Sequence, residues 1–283
     1  YTDANDILVG TVDSVSDISV SGTVTLTATA GSINDAADDN TADFTAGGLI
    51  TLTAQDEVGV LGSGSDLDLE FAAGSSVNVS TTGTGAIDLD GLGALTLSDV
   101  DTVNGAITAS SAGALTVTDV ASGTNGNIVL STSSGDITGL ATVNAGSGNV
   151  TLNSAGAIVD DGSSGTVITG GVLTADAAGA ITIDSTVTSA NISTSAAGAV
   201  DLDESDAITL TDVDTNDGSI TVDAGGLITA TDVVASGGSG DSVTLSTTTG
   251  GAVATLVTGA DAVSITANAG DITIGSVTAT LGT

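Results

Sequence analysis

The chain has 283 residues and not one Lys, Arg, His, Cys, Pro, Met or Trp, and its 35 acidic side chains give a formal net charge of −35. This excludes His- or Cys-based nucleophile pairs, thiolate or imidazole metal ligands, and any cationic clamp for phosphate, so nucleic acid is not a partner. Attraction to anionic membranes is excluded for the same reason.

Only Tyr1, Phe44 and Phe71 are aromatic. Charged residues make up 12% and hydrophobic residues 40%, and the apolar residues alternate regularly, which argues for an ordered chain despite the large charge. No apolar run approaches the roughly 18 residues of a membrane span, so no membrane insertion is expected. Glu occurs only at Glu57, Glu70 and Glu204; the remaining acids are Asp, a turn-favouring residue. Without Cys there is no disulfide framework. The sequence begins at Tyr1 without a signal-peptide pattern, and a processed product or a fragment of a longer polypeptide is expected.

From the N-terminus onward the predicted elements are short strands. Thr23-Val24-Thr25-Leu26-Thr27 and Thr51-Leu52-Thr53 alternate strictly, as do Ala86-Ile87-Asp88-Leu89-Asp90, Ala106-Ile107-Thr108, Ala180-Ile181-Thr182-Ile183, Ala207-Ile208-Thr209-Leu210-Thr211 and Asp271-Ile272-Thr273-Ile274. Such alternation means strands with one buried face. Gly, Asn, Asp and Ser punctuate them, as in Asn104-Gly105, Asn125-Gly126 and Gly237-Gly238-Ser239-Gly240. No segment has convincing helical periodicity.

The spacing is regular. Ile87, Ile107, Ile128 and Val150 lead strands at intervals of 20, 21 and 22 residues, and Leu95, Leu115, Ile137 and Ile158 form a second, interleaved series. Two strand sets per period predict an all-β parallel β-helix, or β-solenoid, with about 20 residues per coil and about 13 or 14 coils, running as a single continuous solenoid over 1–283. Ile87, Ile107, Leu115, Ile128, Ile208 and Ile220 should be buried, with Thr and Asp neighbours outside. A Greek-key sandwich is the rival architecture, but it suits neither the constant period nor the missing aromatic core. A longer repetition overlies the coils. Leu97-Ser98-Asp99-Val100-Asp101-Thr102 recurs as Leu210-Thr211-Asp212-Val213-Asp214-Thr215, and Asp119-Val120 as Asp232-Val233, an offset of 113 (212 − 99). An internal duplication of approximately 93–160 matching 206–274 is expected.

Stretches such as Gly218-Ser219-Ile220-Thr221-Val222-Asp223-Ala224-Gly225-Gly226-Leu227-Ile228-Thr229 and 260–273 resemble the repeats of filamentous-haemagglutinin-type proteins, the large secreted β-helical adhesins of bacterial surfaces. The resemblance covers most of the chain and is clearer after about residue 85. It implies a right-handed helix, an extracellular or cell-surface setting, and a part in adhesion or matrix building. The total lack of Lys and Arg departs from that family, and its secretion domain is not seen here.

Candidate sites follow from stacking. With coils of 20 residues, Asp68 lies beneath Asp88, Glu70 beneath Asp90, Asp99 beneath Asp119, Asp203 beneath Asp223 and Asp212 beneath Asp232. Like charges at strand spacing repel, and the chain has no cation of its own. A hard divalent cation with oxygen ligands, Ca²⁺ first, would offset this; solvated Asp screened by salt is the plainer alternative. The stretch Asp35-Ala36-Ala37-Asp38-Asp39-Asn40 is a looser cation candidate. Thr-x-Thr arrays suggest a water-ordering, ice-binding lattice or simply outward-facing strand residues. Paired Asp residues can hydrolyse glycans, but no Arg or Lys holds sugar acids and almost no aromatic stacks a sugar, so no enzyme is expected. Asn78-Val79-Ser80, Asn149-Val150-Thr151 and Asn191-Ile192-Ser193 fit the glycosylation sequon. The functional expectation is a structural subunit or shaft of an extracellular fibre, self-associating end to end into filaments. The alternative is the stalk of a large adhesin whose tip, elsewhere, meets surface glycans or a host surface.

Overall fold

The computed structural model describes residues 1–10, 17–36, 40–62, 66–72, 74–163, 165 and 167–280. Among them are 29 strands and no helix, and so no helix long and apolar enough to cross a membrane. The architecture is a parallel β-solenoid of right-handed type with about 21 residues per turn. The chain divides into two compact units, Tyr1–Gly148 and Asn149–Thr283.

In the first unit the expected columns form. Ile87 pairs with Ile107 and Ile107 with Ile128, while Leu95 pairs with Leu115 and Leu115 with Ile137. A further ladder runs through Val24–Ala28, Ile50–Ala54, Val77–Thr81, the end of Leu95–Thr102, Asp119–Ala121 and Thr142–Asn144. The coils before about residue 85 are longer than those after it. Ser80 Oγ donates to Thr53 Oγ1 27 residues earlier, whereas Thr124 Oγ1 reaches Asn104 Oδ1 across only 20. Extra turn residues in the early coils account for the difference and lift the mean turn above 20.

The second unit repeats the scheme with longer strands. Ile181–Ala197, Ile208–Asp217, Ile228–Ala235, Ala252–Gly259 and Ile272–Ala279 lie in successive coils. A second ladder joins Ile181–Ala197, Val200–Glu204, Ile220–Ala224, Val243–Thr247 and Val263–Ala267.

Ile87, Ile107, Leu115, Ile128, Ile208 and Ile220 are all buried, as the alternation requires. Stacked aliphatic columns drive folding at about 25 cal/mol per Å² of apolar surface buried. Strand ends are closed by buried hydroxyls: Thr102 donates to the Gly105 carbonyl at 2.6 Å, Thr132 to Gly135 at 2.9 Å and Thr247 to Gly250 at 2.6 Å. Each bond satisfies a corner carbonyl. One expected exposure is wrong: Asp88 is only 8% exposed. Val58 bridges to Ile87 beside it, and the Gly62 N–H bonds its carboxyl, so an excursion of the preceding coil covers this face.

Candidate functional site

The carboxylate columns are real features, but their register differs in part from a 20-residue coil. Asp68 pairs with Asp90, not Asp88, because Leu67 meets Leu89. Glu70 lies beside Thr45, not beneath Asp90. The turn between these strands carries two residues more than the uniform spacing allowed. Asp203 pairs directly with Asp223, as expected, and Asp184 extends the column on the other side. Asp99 and Asp119 directly precede the paired Val100 and Val120, and Asp212 and Asp232 directly precede the paired Val213 and Val233.

Three local arrangements result. In the first, Asp66, Asp68 and Asp90 each offer a carboxylate oxygen, all within 4.8 Å of one another. Two oxygens on one Ca²⁺ at about 2.3–2.6 Å lie no more than roughly 5 Å apart, so this triad has the span to share an ion. It is the one such group of three among the described residues, and it draws in Asp66, which no strand alternation or 20-residue spacing singles out. Nearby, Asp43 is 2% exposed, and its Oδ2 accepts from the Asp68 N–H at 3.0 Å. Burial pushes its carboxyl up to about 8. Burial, with the Asp66 charge, pushes Asp88 up to about 6. The looser candidate at Asp35–Asn40 includes 37–39, which lie outside the described residues.

The second arrangement occurs twice. In the first unit Asn78 pairs with Asp99, and a register shift leaves Ser98 as an extra residue between Leu97 and Asp99. In the second unit Asn191 pairs with Asp212, and the same shift leaves Thr211 as the extra residue. A bulge of this kind re-aims the side chains beside it. Here it sets two outward Asp residues, 99 and 101 or 212 and 214, next to the Asp of the following coil. Burial and Asp99 push Asp101 up to about 6, and burial, Asp212 and Asp232 do the same to Asp214. Burial and Asp99 also raise Asp119. Asn78 Oδ1 and Asp232 Oδ1 are buried oxygens with no hydrogen-bond partner. In the first unit a cavity of about 130 Å³ lies against Thr51, Asn78, Ser80 and Asp99.

The third arrangement is a groove of about 360 Å³ in the second unit, lined by Asp184, Asp203, Glu204, Asp223 and Ala224 among others. Glu204 stands where other strands end in a hydroxyl and is 3% exposed. Its Oε2 accepts from Ser185 Oγ at 2.7 Å and from the Val187 N–H at 3.1 Å, and its Oε1 accepts from the Asp206 N–H at 3.3 Å. Burial outweighs these bonds and pushes Glu204 up to about 7. Burial raises Asp203, with Asp201 and Asp223 adding to it, and raises Asp184, with Asp160 and Asp203 adding to it. Glu204 was missed from the sequence. Its signal was present: it occupies the strand-end position that Thr215 and Thr247 hold elsewhere.

Two sequons fall inside ladders. Asn78 sits between Thr51 and Asp99, and Asn191 between Thr174 and Asp212. Asn149 is exposed, and its Oδ1 accepts from the Val172 N–H at 3.2 Å. The Thr columns are shallow: Thr25 pairs with Thr51 and Thr27 with Thr53, but the next coil brings Asn78 and Ser80. No protein-family model matches this chain, and no curated protein or solved structure does either.

Proposed function

We propose that the chain is a structural segment of an extracellular or cell-surface fibre: a shaft that stacks further coils end to end and is stabilised along its acidic columns by divalent cations. The observation that carries this reading is the strand Ile272–Ala279. It pairs in register with Ala252, Ala254 and Val257, which are buried, yet Ile272, Ile274 and Val277 are 43%, 57% and 36% exposed. Among the described residues no strand covers its outer edge, and the chain has no Lys or Pro to blunt that edge. In the first unit an apolar groove of about 380 Å³ lies against Tyr1, Ile7, Leu8, Val9 and Ile18. A coil added to such edges continues the backbone ladder and buries the apolar columns. Supplied by a second copy, it makes a heterologous, non-closing contact. Repulsion between acidic copies opposes this contact and is screened by salt.

The likeness to adhesin repeats supports a surface setting and a second reading, the stalk of a larger adhesin whose next coil comes from adjoining polypeptide. Electron microscopy of the purified chain separates the two. Filaments that shorten or vanish when residues 1–20 are deleted fit the fibre. Single particles of constant size at all salt and Ca²⁺ concentrations leave the stalk.

A further inference from the structure

The geometry points to Asn125 as a site of spontaneous modification, at which the Gly126 nitrogen closes on the Asn125 side chain and converts it to aspartate and isoaspartate. The fold itself imposes the reactive pair. Gly105 and Gly126 occupy the same corner of successive coils, and a Cβ on Gly126 would run into the Gly105 carbonyl, as one on Gly105 would run into Gly85. Only glycine fits there, so no Cβ shields the backbone nitrogen from the side chain of the residue before it. Twice in this corner the preceding residue is Asn.

The two Asn-Gly pairs differ in restraint. Asn104 Oδ1 accepts from Thr124 Oγ1 at 2.8 Å and from the Asn125 N–H at 3.2 Å, which pins its side chain. Asn125 is exposed in a turn. Among the described residues no hydrogen bond holds its side-chain amide or the Gly126 N–H. In the second unit Asp217-Gly218 stands where the 113-residue offset places Asn104-Gly105, so the matched corner already accommodates a carboxylate beside its glycine.

The chemistry needs only water. The Gly126 nitrogen, giving up its proton to solvent, forms a bond to Asn125 Cγ. The Cγ–Nδ2 bond breaks, ammonia leaves with a proton, and a succinimide remains. Water then opens the ring. Cleavage at Cγ restores the main chain with Asp at 125; cleavage at the main-chain carbonyl leaves an isoaspartyl link through Cγ. Either product adds a negative charge, and the second inserts an extra backbone atom between the strands Asp119–Ala121 and Ile128–Thr132.

The test incubates the intact folded chain in mildly alkaline buffer made with ¹⁸O water. Pepsin at acid pH then releases peptides for mass spectrometry, since a chain without Lys or Arg gives trypsin nothing to cut. Asn125 should convert several-fold faster than Asn104, taking up one heavy oxygen and yielding both isomers. In concentrated urea the two rates should converge, and Thr124→Val should speed Asn104 in the folded chain. An Asn125 that stays intact, or converts no faster than Asn104 in the folded chain, overturns the assignment. So does a rate ratio that is the same in urea as in buffer.

Discussion

In the first unit the groove beside the Ile107–Ser111 strand, about 320 Å³, is lined by Asp90 and by the hydroxyls of Ser110, Ser111, Ser131 and Thr132. In the second unit the groove at matched positions is lined by Asp184, Asp203, Glu204 and Asp223. Offsetting by 113 residues sets Ser110 against Asp223, Ser111 against Ala224 and Gly91 against Glu204. The backbone pairing is the same in both: Asp90 meets Ser110 where Asp203 meets Asp223. In the first groove the Ser110 hydroxyl donates to Asp90, and Ser111 Oγ closes the corner on the Gly93 carbonyl at 2.7 Å. In the second, Ala224 brings no hydroxyl, and the Glu204 carboxyl reaches the Ser185 hydroxyl and the Val187 N–H instead. One solenoid corner thus accepts either hydroxyls or acids, and the choice decides whether that corner responds to pH.

The largest effects should be the same in both units, because they come from the shared aliphatic columns. Ile107→Ala and Ile220→Ala occupy matched buried positions, and each should cost about 2–5 kcal/mol. Stacked coils respond locally, so hydrogen exchange should show faster opening around the mutated coil. A large effect in one unit and none in the other would break the equivalence of the two regions.

The pH response should separate the two grooves, while elsewhere in the first unit Asp43, pushed up to about 8, and Asp88, pushed up to about 6, bring their own stabilisation by acid. Glu204 is raised from 4.5 to about 7 by burial, so the folded state holds its proton more tightly than the unfolded chain. Its stabilising contribution is full below about pH 4.5 and is lost as pH rises through about 7. Acid should therefore stabilise the second unit over that window, and Glu204→Gln should remove this part of the dependence and raise stability at pH 8 by about 1–3 kcal/mol. The difference between wild-type and Glu204→Gln thermal melts at pH 5 and pH 8 checks it, because the contribution of Asp43 and Asp88 is common to both chains. Asp101 and Asp214, both raised from 3.8 to about 6, should add a matched loss of stability in both units between about pH 4 and 6.

Cation dependence comes next. Ca²⁺ should raise the melting temperature at matched ionic strength, and chelation should lower it. Asp90→Asn should weaken the response through the Asp66–Asp68–Asp90 triad, and Glu70→Gln, whose ladder neighbour is Thr45, should leave it unchanged. Identical melts with Ca²⁺ and with chelator would leave diffuse screening alone.

The smallest effect tests the twin bulges. Asn78→Asp and Asn191→Asp place a like charge directly against Asp99 and Asp212. Each should destabilise by roughly 0.2–1 kcal/mol, by similar amounts, and less at high salt, measured by denaturant titration.

The columns through Ile87 and Leu95 were legible in the sequence because alternation fixes which face is buried and the spacing fixes what stacks on what. The Asp203–Asp223 pair followed from the same rule. The Asp68–Asp90 pair did not, since turn length sets register and extra turn residues leave no mark on strand pattern. The bulges at Ser98 and Thr211 were hidden for a related reason: an extra outward residue keeps a plausible polar character while shifting every later partner by one. Glu204 was obscured because a lone Glu after Leu202-Asp203 reads as a solvated acid until strand ends are compared and its place proves to be a buried corner.

Light scattering on the intact chain, across salt and Ca²⁺ concentrations, tests most directly whether the exposed Ile272–Ala279 edge is a stacking surface. Particle mass should grow with ionic strength and with Ca²⁺, and should fall back when Ile274→Asp places a charge on that edge. A mass that stays at 26.5 kDa under every condition would contradict it.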